Sequence, residues 1–227
     1  MNSAKVIVIL AVGMLMASTV PTQAVTIPDP GLKAAIQEAL GGIATDPTEA
    51  EMATLMNLDA TDRGIVDLTG LEYAINLTNL YIGHNGISDL IKLTDLNSLS
   101  RLELYENQIV SVGSLSGLGN LTELNLSSNQ IIETSPLSGL SNLINLDLSN
   151  NQIVVLSSLT GLTNLESLGL ESNPLIDISG LDGMTWLKWL SLGHTQVTDL
   201  IPLAGLTGLE TLHACCNALS DLVPCYQ

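Results

Sequence analysis

Phenylalanine is absent from this 227-residue chain, and only six aromatic residues occur in all of it. A core of stacked rings is therefore excluded, and whatever the chain buries must be mainly aliphatic. Basic residues are also scarce: six Lys and Arg stand against 23 Asp and Glu, for a formal charge of −17. Such a surface repels phosphate backbones, so nucleic acid is not expected as a partner. All three cysteines, Cys215, Cys216 and Cys225, sit at the carboxy-terminal end, which excludes a disulfide framework running through the fold. There are only three histidines, and HExxH, a nucleophile elbow and a phosphate-cradling glycine loop are all missing. Neither an enzyme nor a cofactor is expected.

What the chain has in abundance is leucine, set in a strict period. Leu55, Leu77, Leu99, Leu121, Leu143, Leu165, Leu187 and Leu209 recur every 22 residues with no insertion or deletion. Three residues on, a second column runs from Leu58 and Leu80 to Leu190 and Leu212. Two further on, a third runs from Ala60 and Ile82 to Leu192 and Ala214. This LxL alternation is the mark of a short, half-buried strand. Next comes a column of Asn85, Asn107, Asn129, Asn151, Asn173 and Asn217, with Arg63 and Thr195 in two of its places. An amide both donates and accepts, so stacked asparagines can satisfy backbone groups left over where each coil leaves its strand. Turn residues from Ile65 to Leu219 follow, then two more apolar columns, one broken by Thr134 and the other running from Leu71 to Leu203. With about seven apolar sites per coil, at roughly 1.5–3 kcal/mol for each one fully buried, a stack can offset its ordering entropy. A single coil cannot.

The pattern LxxLxLxxNxI resembles the leucine-rich repeat family, and the 22-residue length with segments such as NGISDL and TQVTDLIPLAGL resembles its bacterial internalin subclass. The resemblance covers residues 55–227 as repeats, about eight coils with the last incomplete. It implies an α/β solenoid: a right-handed leucine-rich repeat with a concave parallel β-sheet, convex 3₁₀ turns and a short helical amino-terminal cap. Only about eleven residues separate each asparagine from the next strand, too few for full helices on the convex side.

Residues 1–24 read as a secretory signal peptide: Lys5, an apolar run over residues 6–17, then Thr22-Gln23-Ala24 as a small-residue cleavage pattern. The mature chain is expected to be secreted or held in the cell envelope, with no transmembrane span after cleavage. Residues 25–54 form the cap. Asp29-Pro30 opens one helix whose Leu32, Ala35, Ile36 and Leu40 share a face, and Gly41-Gly42 ends it. Asp46-Pro47-Thr48-Glu49 is a second, capping-box start, followed by Met52, Leu55 and Met56. At the far end Leu209, Leu212 and Leu219 lie at an uncovered edge. Three readings stay open there: the tail folds over it, it self-associates with another chain, or the natural product is longer. A bridge from Cys225 to Cys215 or Cys216 would pin the tail.

The candidate site is the exposed set flanking the LxL cores: Tyr81, Arg101, Glu103, Tyr105, Glu123, Asn125, Asn145, Asp147, Glu171, Trp189 and His213, with Ser191 among their neighbours. Amphipathic aromatics beside polar groups are the usual anchors of a protein interface. Tyr81 and Tyr105 lie on adjacent strands and Trp189 about 20–24 Å away, a protein-sized footprint rather than a small-molecule cleft. The reading is a protein-recognition module that binds through its concave face. The alternative is an envelope-associated structural or carbohydrate-binding repeat protein, with a glycan as ligand. His194, His213, Cys215 and Cys216 match no standard metal spacing, and Asp67, Asp89, Asp177, Asp199 and Asp221 read as caps of the turns rather than calcium ligands.

Overall fold

The computed structural model describes residues 23–156, 159–217 and 219. The segment expected to be a signal peptide, apart from its last two residues, and any bridge to Cys225 lie outside them. Among the described residues, eight strands form a single parallel sheet in chain order: β1 Asn57–Asp59, β2 Asn79–Tyr81, β3 Arg101–Glu103, β4 Glu123–Asn125, β5 Asn145–Asp147, β6 Ser167–Gly169, β7 Trp189–Ser191 and β8 Thr211–His213. Each is three residues long, too short to persist alone. The 22-residue period sets the register, so Leu58 pairs with Leu80, Leu80 with Leu102, and so on to Leu212. Single 3₁₀ turns cross the convex side at Leu71–Tyr73, Ile91–Leu93, Gly113–Leu115, Ser135–Leu137, Ser179–Leu181 and Ile201–Leu203.

The core is one continuous aliphatic column, to which each coil adds a layer. The repeat columns are almost wholly buried through the middle of the stack. One core column was not singled out in the sequence: Ala74, Leu96, Leu118, Leu140, Leu162, Met184 and Leu206, all buried ahead of each strand. Burial fails at the last coil, where Leu209 and Leu219 are only half-buried and Leu212 is 40% exposed.

Two side-chain ladders tie the coils together. Asn107 donates its amide to the carbonyls of Leu104 in its own coil and Ile82 in the coil before, both at 3.1 Å. Its Oδ1 accepts from the N–H of Ile87 at 3.0 Å. Asn129, Asn151 and Asn173 repeat this arrangement. The second ladder lies on the other flank, where Asn76 donates to Ala53 O of the cap, and Ser98, Asn120, Asn142 and Asn164 donate to carbonyls of the preceding coil, at 2.8–2.9 Å. The Trp186 indole takes the next place, bonding Leu162 O at 2.8 Å. On the convex side Asp67, Asp89, Asp177 and Asp199 each accept the N–H two residues on, at 2.7–2.9 Å. The Ser179 N–H holds the Asp177 carboxyl below its usual range.

The amino-terminal cap is built from α1 Pro30–Ala39 and α2 Glu49–Met52. Asp29 caps α1 through the N–H groups of Gly31 and Leu32, and its other oxygen accepts from Val66 and Asp67 in the first coil. One buried carboxylate thus joins helix to repeat. Arg63, in the ladder position of the first coil, instead forms a two-pronged ion pair with Glu38 of α1. Gly31 is required here, since a Cβ would stand 2.3 Å from Arg63 O. The second helix corrects the sequence expectation: its N-cap is Thr48, in a capping box with Glu51, two residues later than the Asp46 start. The helix ends at Met52, leaving Met56 53% exposed, because a four-residue helix has no second turn to carry it.

Candidate protein-binding face

The sheet's outer face is a grid in which each coil contributes two strand residues and one residue just beyond, and the 22-residue register makes columns of them. The first column reads Asn79, Arg101, Glu123, Asn145, Ser167, Trp189 and Thr211. The second reads Tyr81, Glu103, Asn125, Asp147, Gly169, Ser191 and His213.

Toward the amino-terminal half the side chains interlock. The Arg101 guanidinium lies 5.5 Å from the centre of the Tyr81 ring and pairs with Glu103 at 3.0 Å and Glu123 at 2.8 Å. Tyr105 leans toward Gly83, where a Cβ would sit 2.5 Å from its ring. Toward the carboxy-terminal half, Trp189 and His213 pack at a tilt of 45° with ring centres 5.7 Å apart. Ser191 is a correction: it is only 2% exposed, because it donates to Glu171 at 3.3 Å beside this pair of rings. Between the two halves the side chains are short and polar. Here the surface dips into a shallow depression of about 330 Å³, bordered by Arg101, Glu123, Asp147 and Trp189 with Gly169 in its floor. The LxL alternation does not reveal this dip. Its signal was Gly169 itself, the one residue of its column without a side chain.

Several features have no counterpart in the sequence reading. The residue before each ladder position has a left-handed backbone, φ +52° to +60°, at Asp62, His84, Glu106, Ser128, Asn150, Ser172, His194 and Cys216. This column runs along one rim of the sheet. In it His84 Nδ1 meets Glu106 Oε2 at 2.5 Å, with Asp62 on its other side at 3.7 Å. The hydrogen bond to Glu106 raises the His84 pKa, and the charges of Glu106 and Asp62 add to this. On the adjoining flank Val66, Val110, Ile132, Val154 and Ile176 are 41–63% exposed, a β-branched stripe at the 22-residue period, broken once at Ser88. At the far end Cys215 Sγ lies near Gly193, and among the described residues no cluster of His, Cys, Asp or Glu is placed to hold a metal. No helix among them is long and apolar enough to cross a membrane.

Family models for leucine-rich repeats match residues 75–131, 120–143 and, as two copies, 141–183. Among solved structures, internalin C2 from Listeria monocytogenes is 33% identical over 82% of this chain and 93% of its own, with a TM-score of 0.63. A leucine-rich repeat protein of Leptospira interrogans is 29% identical over 77% of this chain, which spans 46% of it, with a TM-score of 0.70. A second Listeria internalin, 23% identical over 90% of this chain and 82% of its own at a TM-score of 0.50, shares the fold. No curated protein sequence matches significantly. Identity at the level of the first internalin, carried along nearly that protein's whole length, shows that the chain belongs to the leucine-rich repeat family as an internalin-like bacterial protein.

Proposed function

We propose that this protein is exported by a bacterium and binds another protein through the outer face of its sheet. The fold is a protein-interaction scaffold, and scaffolds of this kind present extended concave surfaces. The observation that carries the reading is where the aromatics fall. Tyr81, Tyr105 and Trp189, half of the chain's six aromatic residues, lie on this one face, among Arg101, Glu103, Glu123, Asn125, Asn145, Asp147, Glu171 and His213. Rings held by a guanidinium, a glycine or an imidazole are ordered before binding, which lowers the entropy lost on association.

The test is retention of extracellular proteins by the immobilised protein, wild type against a Tyr81→Ala, Tyr105→Ala, Trp189→Ala triple variant of matching circular dichroism. Removing three anchors is expected to weaken capture at least about a hundredfold. Equal capture by both would place the interface elsewhere, and the Val110, Ile132, Val154 and Ile176 stripe would be the next surface to change. The carbohydrate reading draws on a single feature, an indole beside an amide-lined depression. Retention on cell-wall glycan, competed by free saccharide, would favour it.

A further inference from the structure

We propose that the depression over Gly169 seats a basic side chain of the protein partner, arginine in preference to lysine, so that the partner's contacting surface is cationic. This rests on the concave-face reading above. Every Lys and Arg among the described residues is already paired: Lys33 with Asp46, Arg63 with Glu38, Lys92 with Glu72, Lys188 with Glu166, and Arg101 with both Glu103 and Glu123. Asp147 and Glu171, at the middle of the face, have no such partner among the described residues. A cation brought by a partner would meet them unopposed.

The geometry selects where. Asp147 of β5 pairs in register with Gly169 of β6 and overhangs it, since a Cβ on Gly169 would lie 2.5 Å from Asp147 Oδ1. The Ser149 N–H fixes that carboxylate through Oδ1 at 2.9 Å. On the opposite side β7 brings Trp189 beside Ser167, one strand spacing of about 4.8 Å from the floor. The floor thus has a carboxylate on one side and an exposed indole on the other. At about 330 Å³ the dip is at the lower end of small-molecule sites and open above, so it suits one protruding side chain better than an enclosed ligand.

Arginine fits better than lysine for two reasons. Its planar fork can bond a carboxylate with two N–H groups, and the same plane can lie against an indole face. Its remaining N–H groups could be met by Ser167 and Asn145, two residues with acceptor oxygens that line the same dip. Arg101 on the far border does not oppose this, because two carboxylates and the Tyr81 ring already engage its charge.

The experiment is a titration of the ¹⁵N-labelled protein with a short peptide carrying one central arginine, and with the same peptide carrying citrulline, at low salt. Citrulline keeps the shape and loses the charge. The expected result is saturable shifts of the Gly169 amide and the Trp189 indole with the arginine peptide, at least about tenfold weaker with citrulline. Affinity is expected to fall as salt rises from about 50 to 500 mM. Asp147→Asn, which retains an acceptor for the Ser149 N–H, is expected to weaken arginine binding by about tenfold. Equal binding of both peptides, no shift at Gly169 up to about 10 mM peptide, or a saccharide shifting Gly169 where the arginine peptide does not, would overturn the proposal. The same variant in the capture assay separates the two readings. If the aromatic triple variant loses the captured protein and Asp147→Asn does not, the concave face stands and the arginine seat falls. If the triple variant still captures, the concave reading falls and the peptide titration decides the seat alone.

Discussion

At the scale of single residues, stability in this protein turns on whether a polar group inside a coil finds its partner. Thr134 does not. It occupies a position filled by Leu, Val or Ile in the neighbouring coils, is fully buried, and its hydroxyl has no hydrogen-bond partner among the described residues. Thr134→Val keeps the shape and removes the unpaired group, so it is expected to stabilise by about 1 kcal/mol. Thermal unfolding would show this as a rise in Tm of about 2–4 °C. His84 is the opposite case, an imidazole held by Glu106 with Asp62 beyond. Its raised pKa means that the charged form is favoured in the folded protein. The resulting stabilisation is fully present below the unfolded value of about 6.5 and is lost as pH rises through the higher folded value. An NMR titration should place the His84 midpoint above about 6.5, and Glu106→Gln should lower it. A midpoint unmoved by that change would refute the pairing.

At the scale of elements, the coils are held by what passes between them. The asparagine ladder has a weak step at Thr195, whose hydroxyl bonds Leu192 in its own coil and Asn217 in the next but reaches nothing in the coil before. Thr195→Asn would restore the bonds that Asn173 makes one coil earlier, and is expected to add about 1 kcal/mol. No gain in denaturant midpoint would mean that the shorter side chain is already well accommodated. The cap depends on Asp29 in the same way. Asp29→Ala removes the acceptor of four N–H groups and is expected to cost about 3 kcal/mol. Hydrogen exchange should rise first in α1 and the first coil, while β4 to β6 keep their protection. Much of this level was legible in the sequence, because a 22-residue period exposes any column of one residue type, as with the leucines and Asn107 to Asn173. The second ladder was harder to see, since Ser98 and Trp186 interrupt it. The left-handed rim was hidden altogether, because Asp, His, Glu, Ser, Asn and Cys all occupy it and only the backbone is shared.

At the scale of the whole molecule, a stack that buries one aliphatic column leaves its polar inventory on the outside, and its few aromatics are not spread evenly there. Which residues face outward could be read from the LxL alternation. The contacts among them could not, since alternation says nothing of a guanidinium settling over Tyr81 or a carboxylate leaning across Gly169. Ser191 shows the limit: the alternation turns it outward, yet the neighbouring rings and Glu171 leave it buried. The measurement that bears most directly on the central claim is oxidative footprinting of the protein with and without its captured partner. Tyr81, Tyr105 and Trp189 are expected to lose reactivity several-fold on binding, with Tyr73 and Trp186, which lie off the sheet face, unchanged. Unchanged reactivity on the sheet, with protection of the flank stripe or of Tyr73 instead, would contradict the account.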